Sequence, residues 1–158
     1  MKARWMAMAM VVLAGACGGG DGGSAASGTA ASGGSGSGGE AELTADQLAK
    51  GIGPITSVTL GASIDETLAK QGADVFALKC SACHKLEARY VGPQLGSVLD
   101  RRTPEFVLNM MLNPAEMVAK HPETKKLLGE YMLAMPNQNV TEAEARAVLE
   151  YIRSWQPQ

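Results

Sequence analysis

An all-α domain of about four to five helices is what this sequence predicts, on three observations. Beyond residue 63, apolar residues recur at spacings of three and four, in segments that open on proline or on a Ser/Thr cap. The only strand-like run is "ITSVTL", residues 55–60, directly before Gly61. Aromatic side chains are scarce, with 2 Phe, 2 Trp and 3 Tyr in 158 residues, so something other than aromatic side chains is expected to fill the centre of the core.

The first helix is expected from about Ile64 to Ala82. Leu68, Val75 and Phe76 fall on one face with Lys79, Asp65 and Glu66 lie near the positive end of the helix dipole, and Cys80 falls in the last turn. "TPEFVLNMML", from Thr103, has the cap followed by proline that opens a helix, and Asn113-Pro114 closes it and opens another short one. "HPETKKLLGEYM" repeats the proline start, with His121 read as an exposed residue where that helix begins. "TEAEARAVLEYIRSW" opens on a capping box, Thr141 with Glu144, and puts Val148, Ile152 and Trp155 on one face.

Ahead of these helices the chain divides into three further parts. Residues 1–17, "MKARWMAMAMVVLAGAC", carry two cations and an apolar run from Trp5 to Ala16, the pattern of a secretory signal and too short for a membrane-spanning helix. Leu13-Ala14-Gly15-Ala16-Cys17 resembles a bacterial lipoprotein box with its leucine one position early, which makes Cys17 the expected lipidation site. Plain cleavage after Ala14-Gly15-Ala16 would instead leave Cys17 as a spare thiol near the new terminus. Residues 18–39, nearly all Gly, Ser and Ala, read as a flexible tether with a span of roughly 25 Å. Residues 40–63 read as an extended arm laid over the domain at 64–158. The chain is thus expected outside the cytoplasm, on the periplasmic side of the envelope and held to a membrane by lipid.

Without Lys2 and Arg4, the 14 basic residues fall to 12 against 16 acidic ones. With charges scattered and no basic stripe, nucleic acid is excluded as a partner.

The chemistry concentrates in "KCSACHK", residues 79–85, where Cys80, Cys83 and His84 stand at C-x-x-C-H spacing. A redox disulfide of thioredoxin type should follow a strand in a βαβ setting, and this pair ends a helix. A structural zinc needs four Cys or His ligands, whereas the folded part offers only His121 besides these three. A haem requires only what is present: two thiols that add to the porphyrin vinyl groups, and an adjacent imidazole that binds the iron.

A second axial ligand has five methionine candidates. Met110 and Met111 sit inside a helical pattern, Met117 lies in the short helix after it, and Met132 continues the helix of Leu127, Leu128 and Tyr131, so core packing is the plainer role for Met110, Met111 and Met132. Met135 precedes Pro136, which pushes it into extended geometry in the loop before Thr141, where a thioether can reach a haem without breaking a helix. Met135 is therefore the expected sixth ligand, with Met132 next and His121 or an open position as the remaining alternatives.

At these residues, from about Ile64 to Trp155, the sequence resembles the class I cytochromes c. "GADVFALKCSACH" is similar to that family's haem-binding helix, "YVGPQLGSV" to its Gly-Pro loop, and "MPNQNVTEAEARAVLEYI" to its Met loop and terminal helix. The longer middle, residues 101–132, resembles a subgroup of bacterial single-haem members. The resemblance implies one covalent haem c per chain and the cytochrome c fold wrapped around it. It implies a helix contact built by Gly72, Phe76 and Tyr151, and a Pro93 carbonyl that accepts the second ring N–H of His84. It further implies a single-electron carrier, not an enzyme, that shuttles between redox proteins in the periplasm or at a membrane. Two readings compete with the shuttle: a haem enzyme or gas sensor with an open sixth position, and a fixed electron-donating subunit of a larger complex.

Overall fold

The structure is a computed structural model that describes residues 42–155. The expected signal, Cys17 and the tether at 18–39 lie outside the described residues. Six α-helices occur among the described residues, and no strand: α1 Ala45–Lys50, α2 Glu66–Lys79, α3 Pro104–Leu112, α4 Pro114–Lys120, α5 Pro122–Tyr131 and α6 Glu142–Ser154, with a 3-10 turn at Val98–Asp100.

The helix starts follow local chemistry. Asp65 caps α2 by accepting from the Thr67 and Leu68 amides, Thr103 caps α3 ahead of Pro104, and Thr141 with Glu144 closes a capping box on α6. α3, α4 and α5 each begin on proline, whose missing amide hydrogen costs nothing at that position. Against the expectation of four to five helices, the additional one is α1, inside the stretch expected to be extended. Thr44 and Gln47 form a reciprocal capping box there.

α2 and α6 form the most extensive helix pair. Ala69, Gly72 and Phe76 give α2 its buried face, and Ala145, Val148, Leu149 and Ile152 face the core from α6. The close approach depends on Gly72, because a Cβ there would lie 1.9 Å from the Ala147 carbonyl oxygen. Phe76 meets Tyr151 at a ring distance of 5.5 Å, tilted by 60°. Leu68 and Val75 are only partly buried, so the inward face of α2 is set by smaller residues than the spacing of large ones implied.

Residues 51–65 cross the domain without regular structure, fastened by side chains from the helices. The buried Asn109 amide accepts from the Ile55 amide (2.9 Å) and donates to the carbonyls of Lys50 (2.9 Å) and Ile55 (2.8 Å). Glu105 accepts from the Val58 amide at 2.8 Å, Glu150 from the Asp65 amide at 2.8 Å, and Arg153 donates to the Gly61 carbonyl at 2.9 Å.

Two expectations are overturned here. His121 is not exposed: it is fully buried as the cap of α5, edge-on to Phe106, with Nδ1 accepting from the Glu123 amide at 3.2 Å and Nε2 facing the Leu48 carbonyl at 3.2 Å. Since Nδ1 accepts, Nε2 carries the proton and donates to Leu48, so one ring nitrogen caps α5 and the other holds the arm. Met132 does not continue the helix into the core. It terminates α5 in the left-handed region, at φ 53°, and its side chain is 83% exposed.

Candidate functional site

α2 ends at Lys79, and Cys80 is its C-cap instead of a member of the last turn. The chain then folds back on itself: the Cys83 and His84 amides donate to the Cys80 carbonyl at 3.0 and 2.9 Å. This turn brings Cys80, Cys83 and His84 to one cavity of about 340 Å³, which Gly92, Pro93 and Met135 also line. The volume falls in the range of small-molecule and cofactor sites.

The loop after the motif fixes the imidazole. The Gly92 amide donates to the Cys83 carbonyl at 2.8 Å, and His84 Nδ1 lies 2.9 Å from the Pro93 carbonyl oxygen. A carbonyl can only accept, so Nδ1 carries the proton and the Nε2 lone pair is left for a metal. Gly92 lies flat against the ring: a Cβ there would stand 2.6 Å from His84 Cε1.

Cys80 and Cys83 are free thiols, both half-buried. Burial pushes the Cys80 thiol above its usual value, and the neighbouring Lys79 charge pulls it only partly back. That is the reverse of the lowered thiol of a redox C-x-x-C, whose thiolate must form readily. Among the described residues no group of three or more His, Cys, Asp or Glu could hold a bare metal ion. The donor set therefore fits a metal that arrives inside a macrocycle, with two thiols as covalent anchors and one imidazole as ligand.

The methionines separate by position. Met117 is buried away from the cavity with its sulfur accepting from the Ile52 amide at 3.0 Å, and Met132 does not line the cavity either. Met110, Met111 and Met135 line it. Met110 and Met111 belong to α3, whereas Met135 lies in the irregular segment between α5 and α6 and packs partly buried on the main core. His121, the other alternative ligand, is not among the lining residues.

The sequence reading did not identify the ionic contacts at the ends of this segment. Lys79 donates to Glu144 at 2.8 Å and to the Asn139 carbonyl at 3.3 Å, joining the residue before Cys80 to the start of α6. The Lys79 ammonium and the Thr141 amide hold the Glu144 carboxyl down at about 2, so it is ionised across the working range. Partners 65 residues apart leave no local signal in the sequence.

A helical domain whose cavity is lined by C-x-x-C-H, a carbonyl-tethered imidazole and a loop methionine defines a c-type haem protein. The cytochrome c family model matches residues 69–156, more than half of the sequence, and the chain belongs to that family. Among solved structures, the cytochrome c from Rhodothermus marinus is 45% identical with a TM-score of 0.65, covering 68% of this chain and 93% of that one. An engineered form of the Rhodothermus marinus protein, Rma TDE, is 44% identical with a TM-score of 0.65, covering 68% and 94%. The same engineered protein bound to a carbene intermediate, 1-ethoxy-1-oxopropan-2-ylidene, is 45% identical with a TM-score of 0.62 and the same coverage. No curated protein matches the chain. The family's cofactor is haem c, an iron porphyrin bound covalently, and Cys80 and Cys83 stand at its thiol positions. At the level of the family the chain is an electron carrier.

Proposed function

We propose that the chain is a single-electron carrier in which His84 and Met135 are the two protein ligands to the haem iron. The observation that carries this reading is the His84 ring, its Nδ1 occupied by the Pro93 carbonyl at 2.9 Å, in a cavity that Met135 also lines. When bound, the haem supplies a one-electron couple. Pro93 fixes the tautomer of His84 and raises its basicity, while the soft thioether of Met135 favours the reduced metal and raises the potential. With both positions held by protein, no substrate reaches the metal unless a side chain leaves, which argues for transfer of electrons and against catalysis.

The partners in this reading are a donor and an acceptor redox protein, met on the periplasmic side of the envelope. Cys17 is the lipid anchor and residues 18–39 the tether, so that both partners are encountered at raised effective concentration near a membrane. Among the described residues no helix is long and apolar enough to cross a membrane. A second reading, an exchangeable sixth position, is favoured by one observation: the engineered relative is bound to a carbene intermediate.

The test begins with the cofactor. Holoprotein made with a cytochrome c maturation system should keep its haem after denaturation, seen by mass and by haem stain, and should titrate with a one-electron slope. Complete loss of haem on denaturation rules out covalent attachment through Cys80 and Cys83. Cys17→Ser should release the exported protein from the membrane fraction; a variant bound as firmly as the parent rules out anchoring there.

A further inference from the structure

Arg89 lies five positions after His84, in a loop tied back to the motif by the Leu95 and Gly96 amides, which donate to the Lys85 and Leu86 carbonyls at 3.0 and 2.9 Å. From this loop Arg89 reaches the last turn of α5. Nη1 donates to Glu130 Oε1 at 2.8 Å, Nη2 donates to the Glu130 carbonyl at 3.3 Å, and the guanidinium lies 4.1 Å from the centre of the Tyr131 ring. Glu130 and Tyr131 line the cavity, and Met132 comes after them with the left-handed backbone that turns the chain toward Met135. One side chain on the His84 side thus grips, by three contacts, the point from which the Met135 segment departs. The other end of that segment is gripped by Lys79 through Asn139 and Glu144.

We propose that Arg89 is a positioning residue for the sixth ligand: it holds the end of α5 so that the Met135 thioether stays on the metal, and its loss makes that position exchangeable. The proposal rests on Met135 ligation. A small exogenous ligand competes only in the fraction of molecules whose Met135 has left, so its apparent affinity scales with that fraction. Contacts that exist only while the end of α5 is in place lower the fraction. Arg89 and Glu130 are 57% and 46% exposed in their side chains, so the ion pair contributes modestly, and the stacking on Tyr131 adds to it.

The experiment is a titration of oxidised holoprotein with imidazole, followed by visible absorbance. Arg89→Gln should bind imidazole about fivefold to tenfold more tightly than the parent, from an exposed ion pair plus a cation–π contact. Arg89→Lys, which keeps the charge but not the planar fork, should fall between the two. Glu130→Gln should weaken the hold in the same direction, and the double variant should show less than the product of the two single effects, because the two side chains act through one contact. Arg146→Gln, which removes an exposed ion pair with Glu142 within α6, should leave imidazole affinity unchanged. A merely structural role for Arg89 would lower the unfolding temperature without moving this affinity. Parent-like imidazole binding by Arg89→Gln, in a protein whose Met135→Ala form has an open sixth position, overturns the proposal and leaves the ligation reading standing. If Met135→Ala retains the parent spectrum, the ligation reading falls and the proposal falls with it.

Discussion

Met135→Ala should turn a reduced holoprotein that ignores carbon monoxide into one that binds it, and should lower the reduction potential. On the proposed ligation by His84 and Met135, the parent would offer the gas no site. Removing the thioether frees one position and takes away the soft ligand that favoured the reduced metal, so gas binding appears and the potential falls together. Met132→Leu is the matched control, three residues earlier in the same stretch. Its side chain is 83% exposed and does not line the cavity, so the change should stay within about 0.5 kcal/mol in stability and leave the visible spectrum alone. Carbon monoxide binding by Met132→Leu, with Met135→Ala still six-coordinate, would move the ligand to Met132. A six-coordinate Met135→Ala together with an unaffected Met132→Leu would direct attention to Met110 and Met111, which share the cavity from α3.

Met132 also shows where sequence reasoning stopped. Leu127, Leu128 and Tyr131 continue a helical pattern into it, and nothing in a methionine announces a left-handed residue, a conformation that favours glycine or asparagine at helix ends. Pro136 keeps Met135 out of helical geometry, but it does not dictate the earlier stop at Met132, for which the sequence carries no local signal. His121 failed for a different reason. Its role as the start of α5 was legible from Pro122, but its burial depends on Leu48 and Phe106, and the contact with Leu48 spans 73 residues. By contrast α1 was legible and missed: Thr44 and Gln47 form the same kind of capping box as Thr141 and Glu144, in a helix of six residues that is too short to show a repeating apolar face. Caps and proline starts are local chemistry, and α3 to α6 open where these signals stand. The C-x-x-C-H motif was legible for the same reason, since the turn that gathers it is closed by bonds from Cys83 and His84 to Cys80.

Gly72→Ala should be among the most damaging single-methyl additions the domain can receive, and Gly129→Ala should be harmless or helpful. Both glycines sit inside helices, where alanine is intrinsically better by about 1 kcal/mol, so propensity alone predicts stabilisation at either site. At Gly129 a new Cβ meets nothing within 4 Å, and the substitution should stabilise by about 0.5–1 kcal/mol. At Gly72 the new Cβ would lie 1.9 Å from the Ala147 carbonyl oxygen, 2.4 Å from its carbon and 2.9 Å from Tyr151 Cβ. The nearest two are backbone atoms in the middle of α6 and cannot rotate aside, so α2 and α6 must move apart. That separation loosens Phe76 against Tyr151 and the Lys79–Glu144 pair, and it displaces the helix that Cys80 caps. Overpacking of this kind should outweigh the propensity gain and cost about 3 kcal/mol, which for a domain of this size lowers the midpoint of thermal unfolding by roughly 10–20 °C. The check is thermal unfolding of both variants as holoproteins, followed by far-ultraviolet circular dichroism. Equal and unchanged midpoints would mean that α2 and α6 absorb a methyl group between their backbones, and that the helix contact does not depend on glycine.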